Sequence, residues 1–185
     1  MEFETLQTER LNLRRLDPEV YTYVFNKFTD IEIKLFFGLS SDKELIKERE
    51  KFNKGISTFN KSFILFQIIE KDSNKIIGWC GFHTWYIEHN RAEIGYALTE
   101  NLQKSKGIMT EALYAIIEYG FKKMNLHRIE AFIGPENIAS LKLITKFNFS
   151  REGILKEHYW KNNRMEDSIV FSLLKSNFIS ENNIS

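Results

Sequence analysis

The residues best suited to chemistry lie in one stretch, K-S-K-G-I-M-T-E-A-L at positions 104 to 113. A strand-like run, A-E-I-G-Y-A-L, precedes it, and an apolar helix is predicted to begin directly after its glycine. A helix start leaves backbone N–H groups unpartnered and carries a partial positive charge. It therefore binds phosphate readily, and successive loop amides can form an anion-binding nest. Gly107 has no Cβ and lets the backbone approach a ligand closely. Lys104 and Lys106, with Ser105 between them, place positive charge beside the same point. This pattern suits capture of a phosphorylated cofactor. The P-loop and dinucleotide fingerprints, G-x-x-x-x-G-K-[ST] and G-x-G-x-x-G, are both absent. A solvated Lys/Ser loop that merely caps a helix is the competing reading of the same residues.

Such a loop needs a strand and a helix to hold it, and the periodicity of the chain supplies them. In T-E-R-L-N-L-R-R-L, Leu11 and Leu13 share a face, which predicts a first strand over 8–16. Asp17–Pro18 starts an aromatic-rich helix to about Phe28. Ser41, with Glu44 three residues later, fits a capping box opening a helix from Asp42 to about Phe59. Strands are predicted at 62–69, 75–85 and 92–98, then a helix at 108–124 and a strand at 127–133. Asn137 caps a helix to about Phe147, and strands at 150–160 and 165–174 meet at the turn K-N-N-R. The order is β-α-α-β-β-β-α-β-α-β-β. It predicts an α/β fold, a mixed sheet of about seven strands with helices on both faces. Ala92 to Ile133 is expected to be a right-handed parallel crossover. One domain is expected over 1–185, with its core at about 8–175 and a flexible tail at 176–185.

Composition bounds the function. With 43% hydrophobic residues and 16 Phe, 185 residues can bury a proper core. A net charge of +1 gives no basic excess of the kind nucleic-acid binders show, so no nucleic acid is expected as partner. A lone cysteine, Cys80, supplies neither a disulfide framework nor a Cys-based metal site, and it fits a reducing cytoplasm. The opening M-E-F-E-T-L-Q-T-E-R does not read as a signal peptide, and no run reaches the ~20 apolar residues of a membrane span. No metal is expected, and a homodimer is left open.

The stretch at 104–113 resembles the acyl-CoA pyrophosphate loop of the GNAT N-acetyltransferases, [QR]-x-x-G-x-[GA]. The flanks E-I-G-Y-x-L and K-G-[YI]-[MA]-T-E-A-L are similar to its RimJ/RimL-type branch. So are the opening T-E-R-L-x-L-R-x-L, the run N-x-x-S followed by F-x-F-x-x-E-G at Asn137 to Gly153, and the ending M-E-D-S-I-V-F-S-L-L-K. The resemblance covers nearly the whole chain. Lys104 stands where the family has Gln, Arg or Trp, and Ser105 where glycine is usual. These departures keep a second reading open, a non-catalytic CoA-sensing or protein-interaction module on the same fold.

The resemblance implies transfer of acetyl from acetyl-CoA to a primary amine, either a protein N-terminus or a small amine. It implies pantetheine pairing with the strand around Leu98 and Thr99, and pyrophosphate on Lys104, Ser105, Lys106, Gly107, Ile108, Met109 and Thr110. It implies that the strand at 127–133 splays from that at 92–98, that Asn137 holds pantetheine, and that Ser140 donates to the leaving sulfur. Asn137 also suits helix capping, and Ser140 a small first-turn residue. An α-amine, with pKa about 7.7–8.0, needs less base than a lysine amine at about 10.4. Glu93 is the first candidate base, ahead of His83 and Glu130, and its removal is expected to matter most at low pH, where the amine is protonated. An acyl-enzyme on Cys80 finds no His–Asp support, and buried packing is the better reading. Trp79, Trp85, Tyr86, Tyr159 and Trp160 are read as core for the most part, with lining of the acceptor pocket as the alternative. The charges of the helix from Asp42 are read as a solvated face.

Overall fold

Alternation along one strand shows how the layers form. In Ser62–Glu70, Ile64, Phe66 and Ile68 enter one apolar cluster, while Phe63 and Leu65 pack against another. Successive strand side chains point to opposite faces, so the two clusters lie on opposite sides of the sheet. The structure is a computed structural model that describes residues 1–58, 61–99, 106–161 and 163–178. Its strands are β1 (Thr5–Gln7), β2 (Leu11–Leu16), β3 (Ser62–Glu70), β4 (Ile76–Tyr86), β5 (Arg91–Leu98), β6 (Arg128–Ile133), β7 (Ser150–Lys161) and β8 (Arg164–Leu174). Its helices are α1 (Pro18–Lys27), α2 (Asp30–Phe37), α3 (Asp42–Asn53), α4 (Ile108–Lys122) and α5 (Ile138–Lys146). The sheet order is β1-β2-β3-β4-β5-β6-β8-β7. Helix α4 supplies Ala112, Leu113, Ile116 and Ile117 to the larger cluster, and α1 to α3 supply Val20, Val24, Ile33 and Leu45 to the other.

Eight strands replace the expected seven or so, because β1 is separate from β2 and pairs with it antiparallel. Residues 8 to 10, expected within the first strand, form the turn between them. Helix α2 was not anticipated. Thr29 caps it through Glu32 N–H, the Glu32 carboxylate accepts from Thr29 N–H in return, and Gly38 closes it at φ 69. Helix α3 ends at Asn53, short of Phe59. At its start Ser41 caps Glu44 N–H as expected, but the Glu44 carboxylate takes the Ser40 amide rather than that of Ser41. Lys175–Asn177 forms a 3-10 turn, and Phe178 packs on Tyr114 and Phe121, so the first residues of the expected tail lie against α4. No helix among the described residues is long and apolar enough to cross a membrane.

Strands β5 and β6 are parallel but pair only through Arg91↔Arg128, Ala92↔Ile129 and Glu93↔Glu130. Beyond Glu93, β5 continues beside β4 as far as Gly78↔Leu98, while β6 turns to β8. The sheet is split there, and among the described residues the edge of β5 from Ile94 to Leu98 has no strand partner on that side.

Candidate active site

The split opens into a cleft of about 300 Å³. Glu93 and Tyr96 come from β5, His83 and Trp79 from β4, Asn137 and Ser140 from the start of α5, and Tyr159 from β7. Glu93 is only 12% exposed. Burial, and then the nearby Glu130 charge, push its carboxyl up to about 7. His83 Nδ1 lies 3.6 Å from Glu93 Oε2, too far for a hydrogen bond, and burial holds the imidazole below its ordinary range. Near neutrality the pair is therefore a neutral imidazole beside a carboxyl poised between its two states.

Two backbone features aim these groups. A Cβ on Gly95 would lie 2.7 Å from His83 Nε2, so only glycine lets the imidazole lie across β5. Thr84, next to His83, sits at φ 51, and the β4–β5 register slips between His83 and Tyr86. A β-branched residue in the left-handed region costs about 1–3 kcal/mol, and such strain gathers at functional sites.

Glu130 does not suit the role of base. Its two carboxylate oxygens are both taken, accepting from Arg91 Nη1 at 2.7 Å and from Arg128 Nε at 2.8 Å. Arg128 also holds Glu152, whose carboxyl is driven down to about 2, first by that bond and then by one from Ser172. Cys80 is fully buried and desolvation pushes its thiol up, so it is no nucleophile.

Asn137 caps α5 by accepting from Ser140 N–H at 3.2 Å, which turns the Ser140 residue into the cleft. Tyr96, overlooked as a chemical group in the sequence, has a buried hydroxyl without a hydrogen-bond partner among the described residues. Burial pushes its pKa up, so it stays a neutral donor, and it sits beside the Ser140 side chain. Its place in E-I-G-Y-A-L, three residues after Glu93, was the available signal.

The expected phosphate loop is seen in part, since Lys104 and Ser105 lie outside the described residues. Gly107 takes φ 76 as N-cap of α4 and gives no side-chain cap, so the first amides of the helix keep their donors. Ile108 is buried and Met109 packs against the larger core, which limits their contribution to backbone, while Thr110 and Lys106 reach the surface more. Leu98 packs inward, and Thr99 N–H donates to Ile77 O at 2.9 Å. The helix start is not part of the cleft. The open edge of β5 leads from Glu93 toward Leu98 and Thr99, which precede the loop.

The opening T-E-R also has a role that spacing could not show. Glu111, in the first turn of α4, accepts from Thr8 Oγ1 at 2.5 Å and from Arg10 Nε at 2.6 Å, and Arg10 Nη1 donates to Lys106 O at 3.0 Å. Two motifs about a hundred residues apart thus clamp the helix start. Among the aromatics, Trp79 is 38% exposed, and it and Tyr159 line the cleft, while Trp160 is 67% exposed, so the expected core packing does not hold for these three. Trp85 does pack on the core, and Tyr86 carries the Arg91 and Lys61 cations on its ring. Among the described residues no group of three His, Cys, Asp or Glu side chains could hold a metal.

The site thus combines a parallel pair split beside a carboxyl with an uncapped helix start that follows the split strand in sequence. Residues 10–150 match the acetyltransferase (GNAT) domain family. The uncharacterized N-acetyltransferase p20 of Bacillus licheniformis is 36% identical over 180 residues, covering 95% of this chain and 98% of that protein. The [ribosomal protein uS5]-alanine N-acetyltransferase of Escherichia coli is 30% identical over 121 residues, covering 64% of this chain and 62% of that one. The crystal structure of a ribosomal-protein-S5-alanine acetyltransferase from Vibrio fischeri superposes with a TM-score of 0.66 at 22% identity, covering 95% and 99% of the two chains. The chain belongs to the GNAT family of N-acetyltransferases.

Proposed function

We propose that this chain transfers acetyl from acetyl-CoA to a primary amine, on a protein N-terminus or a small molecule, by direct attack in a ternary complex in the cytoplasm. The observation that carries the reading is the split after Glu93↔Glu130, which leaves a strand edge free beside a carboxyl held near 7. The free edge from Ile94 to Leu98 offers backbone groups to pantetheine amides, a strand-addition mode. The amides from Gly107 to Thr110, with Lys104, Ser105 and Lys106, suit the pyrophosphate. Acetyl-CoA supplies an activated thioester carbonyl. Holding the amine against it supplies much of the rate. Glu93, as carboxylate, takes the proton that the amine nitrogen loses as the new C–N bond forms. Ser140 donates its hydroxyl hydrogen bond to the thiolate released when the C–S bond breaks. Asn137 keeps the first turn of α5 in place for that contact. A purely CoA-sensing or interaction module would have no use for a carboxyl tuned to about 7.

The pH dependence expected of Glu93 differs from the sequence-based one. With its carboxyl near 7, Glu93 is protonated at low pH and can act as base only above that point. Glu93→Gln should therefore lower kcat/KM most above about pH 7 and remove the rising limb there. Stability should move oppositely. Below the ordinary carboxylate range Glu93 is protonated in folded and unfolded chains alike. Between that range and about 7 only the unfolded chain ionises it, so stability falls as pH rises, and Glu93→Gln should raise Tm more at pH 8 than at pH 4. A wild-type profile in the variant would move the base to His83 or solvent.

Arg10→Ala should raise the KM for acetyl-CoA about threefold to tenfold with kcat little changed, because its bonds to Glu111 and Lys106 O hold the helix start. Steady-state kinetics at varied acetyl-CoA read this directly. An unchanged KM would mean that the clamp serves folding alone.

A further inference from the structure

A second cavity of about 380 Å³ lies behind His83, walled by α1, the C-terminal end of α3, β3 and β4. His83 lines both this cavity and the cleft that holds Glu93, so its imidazole is the wall the two spaces share. Its walls are mostly apolar, with Tyr21, Ile56, Phe63 and Leu65. Its charged lining among the described residues consists of Lys51 and Lys61, with no carboxylate. Lys51 is offset by Glu48 at 3.0 Å, a residue outside the lining. Lys61 is exposed, lies over the Tyr86 ring at 4.9 Å and has no carboxylate partner among the described residues. His83, held below its ordinary range by burial, adds no charge at neutral pH.

Resting on the transferase reading above, we propose that this cavity is the acceptor's side-chain subsite. It would take an apolar group borne next to the attacking amine, with an anionic group of the acceptor paired to Lys61. The shared wall at His83 supplies the geometry. An amine presented to Glu93 carries its substituent into the adjoining space, and apolar walls reward an apolar substituent at about 25 cal/mol per Å² of buried surface. The charge sets the discrimination. A second ammonium, as in a polyamine, would enter a space whose unpaired charge is positive, without a carboxylate to meet it. A carboxylate next to the amine would find in Lys61 a cation without a carboxylate partner among the described residues. Two sources offer that chemistry: a free apolar amino acid, and a peptide N-terminus with an apolar first and acidic second residue.

The test is an acceptor panel run with the full chain and acetyl-CoA, following thiol release. The probes are free leucine, a peptide beginning Leu-Glu, the same peptide with Lys second, and spermidine. The Leu-Glu peptide or free leucine should exceed spermidine and the Leu-Lys peptide by about fivefold or more in kcat/KM, the scale of one partly exposed charge pair. Turnover of leucine alone identifies the small-molecule source, and turnover of the peptide the protein source. Lys61→Glu should reverse the preference between the two peptides, or abolish leucine turnover, while the thermal shift produced by acetyl-CoA stays as in wild type. Spermidine as the best acceptor, or peptide rates unmoved by Lys61→Glu, overturns the subsite and leaves the transferase reading standing. No acetylation of leucine or the Leu-Glu peptide by a chain that still binds acetyl-CoA overturns the subsite, and failure to discharge acetyl to any amine overturns the transferase reading with it.

Discussion

Gly107→Glu is expected to abolish binding of acetyl-CoA. Gly107 holds φ 76, where only glycine rests without strain, and it is the residue from which the free amides of α4 begin. A Cβ there meets Arg10 Nη2 at 3.6 Å, an ordinary contact, so space alone does not forbid the change. Two effects do the harm. The left-handed backbone is strained for any side chain, which shifts the loop. The new carboxylate also takes the positive end of the helix and repels a pyrophosphate. The same carboxylate is favourable at a helix start, so the fold should survive. In a thermal unfolding series, wild type should gain roughly 2.7 kcal/mol when acetyl-CoA reaches about 100 times its dissociation constant. The variant should gain nothing at that concentration. A wild-type gain in Gly107→Glu would remove the pyrophosphate from this helix.

Ser140→Ala is expected to lower kcat while leaving acetyl-CoA affinity nearly unchanged. A hydrogen bond to a charged group is worth about 1.5–3 kcal/mol, and at 1.36 kcal/mol per decade this is roughly a tenfold to hundredfold loss. The Tyr96 hydroxyl beside it has no hydrogen-bond partner among the described residues, so part of the donor capacity remains and the lower end of that range is expected. Asn137→Ala should behave differently. It removes the cap on Ser140 N–H, worth about 1 kcal/mol of helix stability, and it weakens cofactor binding as well. Single-turnover rates at saturating acetyl-CoA separate the two variants. A Ser140→Ala enzyme as fast as wild type would show that the thiolate leaves unaided.

The framework was legible in the sequence because its signals are local. Asp17–Pro18, Ser41 and Asn137 each cap the helix that follows, as read. The apolar run at 62–69 marked a strand, and in the structure both of its faces are covered. Helix α2 was equally local, through Thr29, Glu32 and Gly38, but its pattern D-I-E-I-K-L-F-F is too short and apolar to separate helix from strand by periodicity. What depended on distant partners was not legible. Glu93 and Glu130 lie at matched positions on paired strands, yet one is desolvated and the other is flanked by Arg91 and Arg128. That difference is what favours Glu93 over Glu130 in the proposed role of base, and only the sheet register reveals it. The expectation that Glu93 matters most at low pH assumed an ordinary carboxylate, and a carboxyl near 7 reverses the expected direction. The clamp of Arg10 on Glu111 and Lys106 is likewise invisible until β2 is brought beside α4.

The central claim is direct transfer of acetyl from acetyl-CoA to an amine in the Glu93–Ser140 cleft. Acetyl-CoA labelled in its acetyl group, mixed with the protein and quenched with and without an amine acceptor, tests it most directly. The expected result is label in the amide of the acceptor, one thiol released for each amide formed, and no label on the protein in either sample. Label retained on the protein at Cys80, or acetyl-CoA bound and never discharged to any amine, would contradict it.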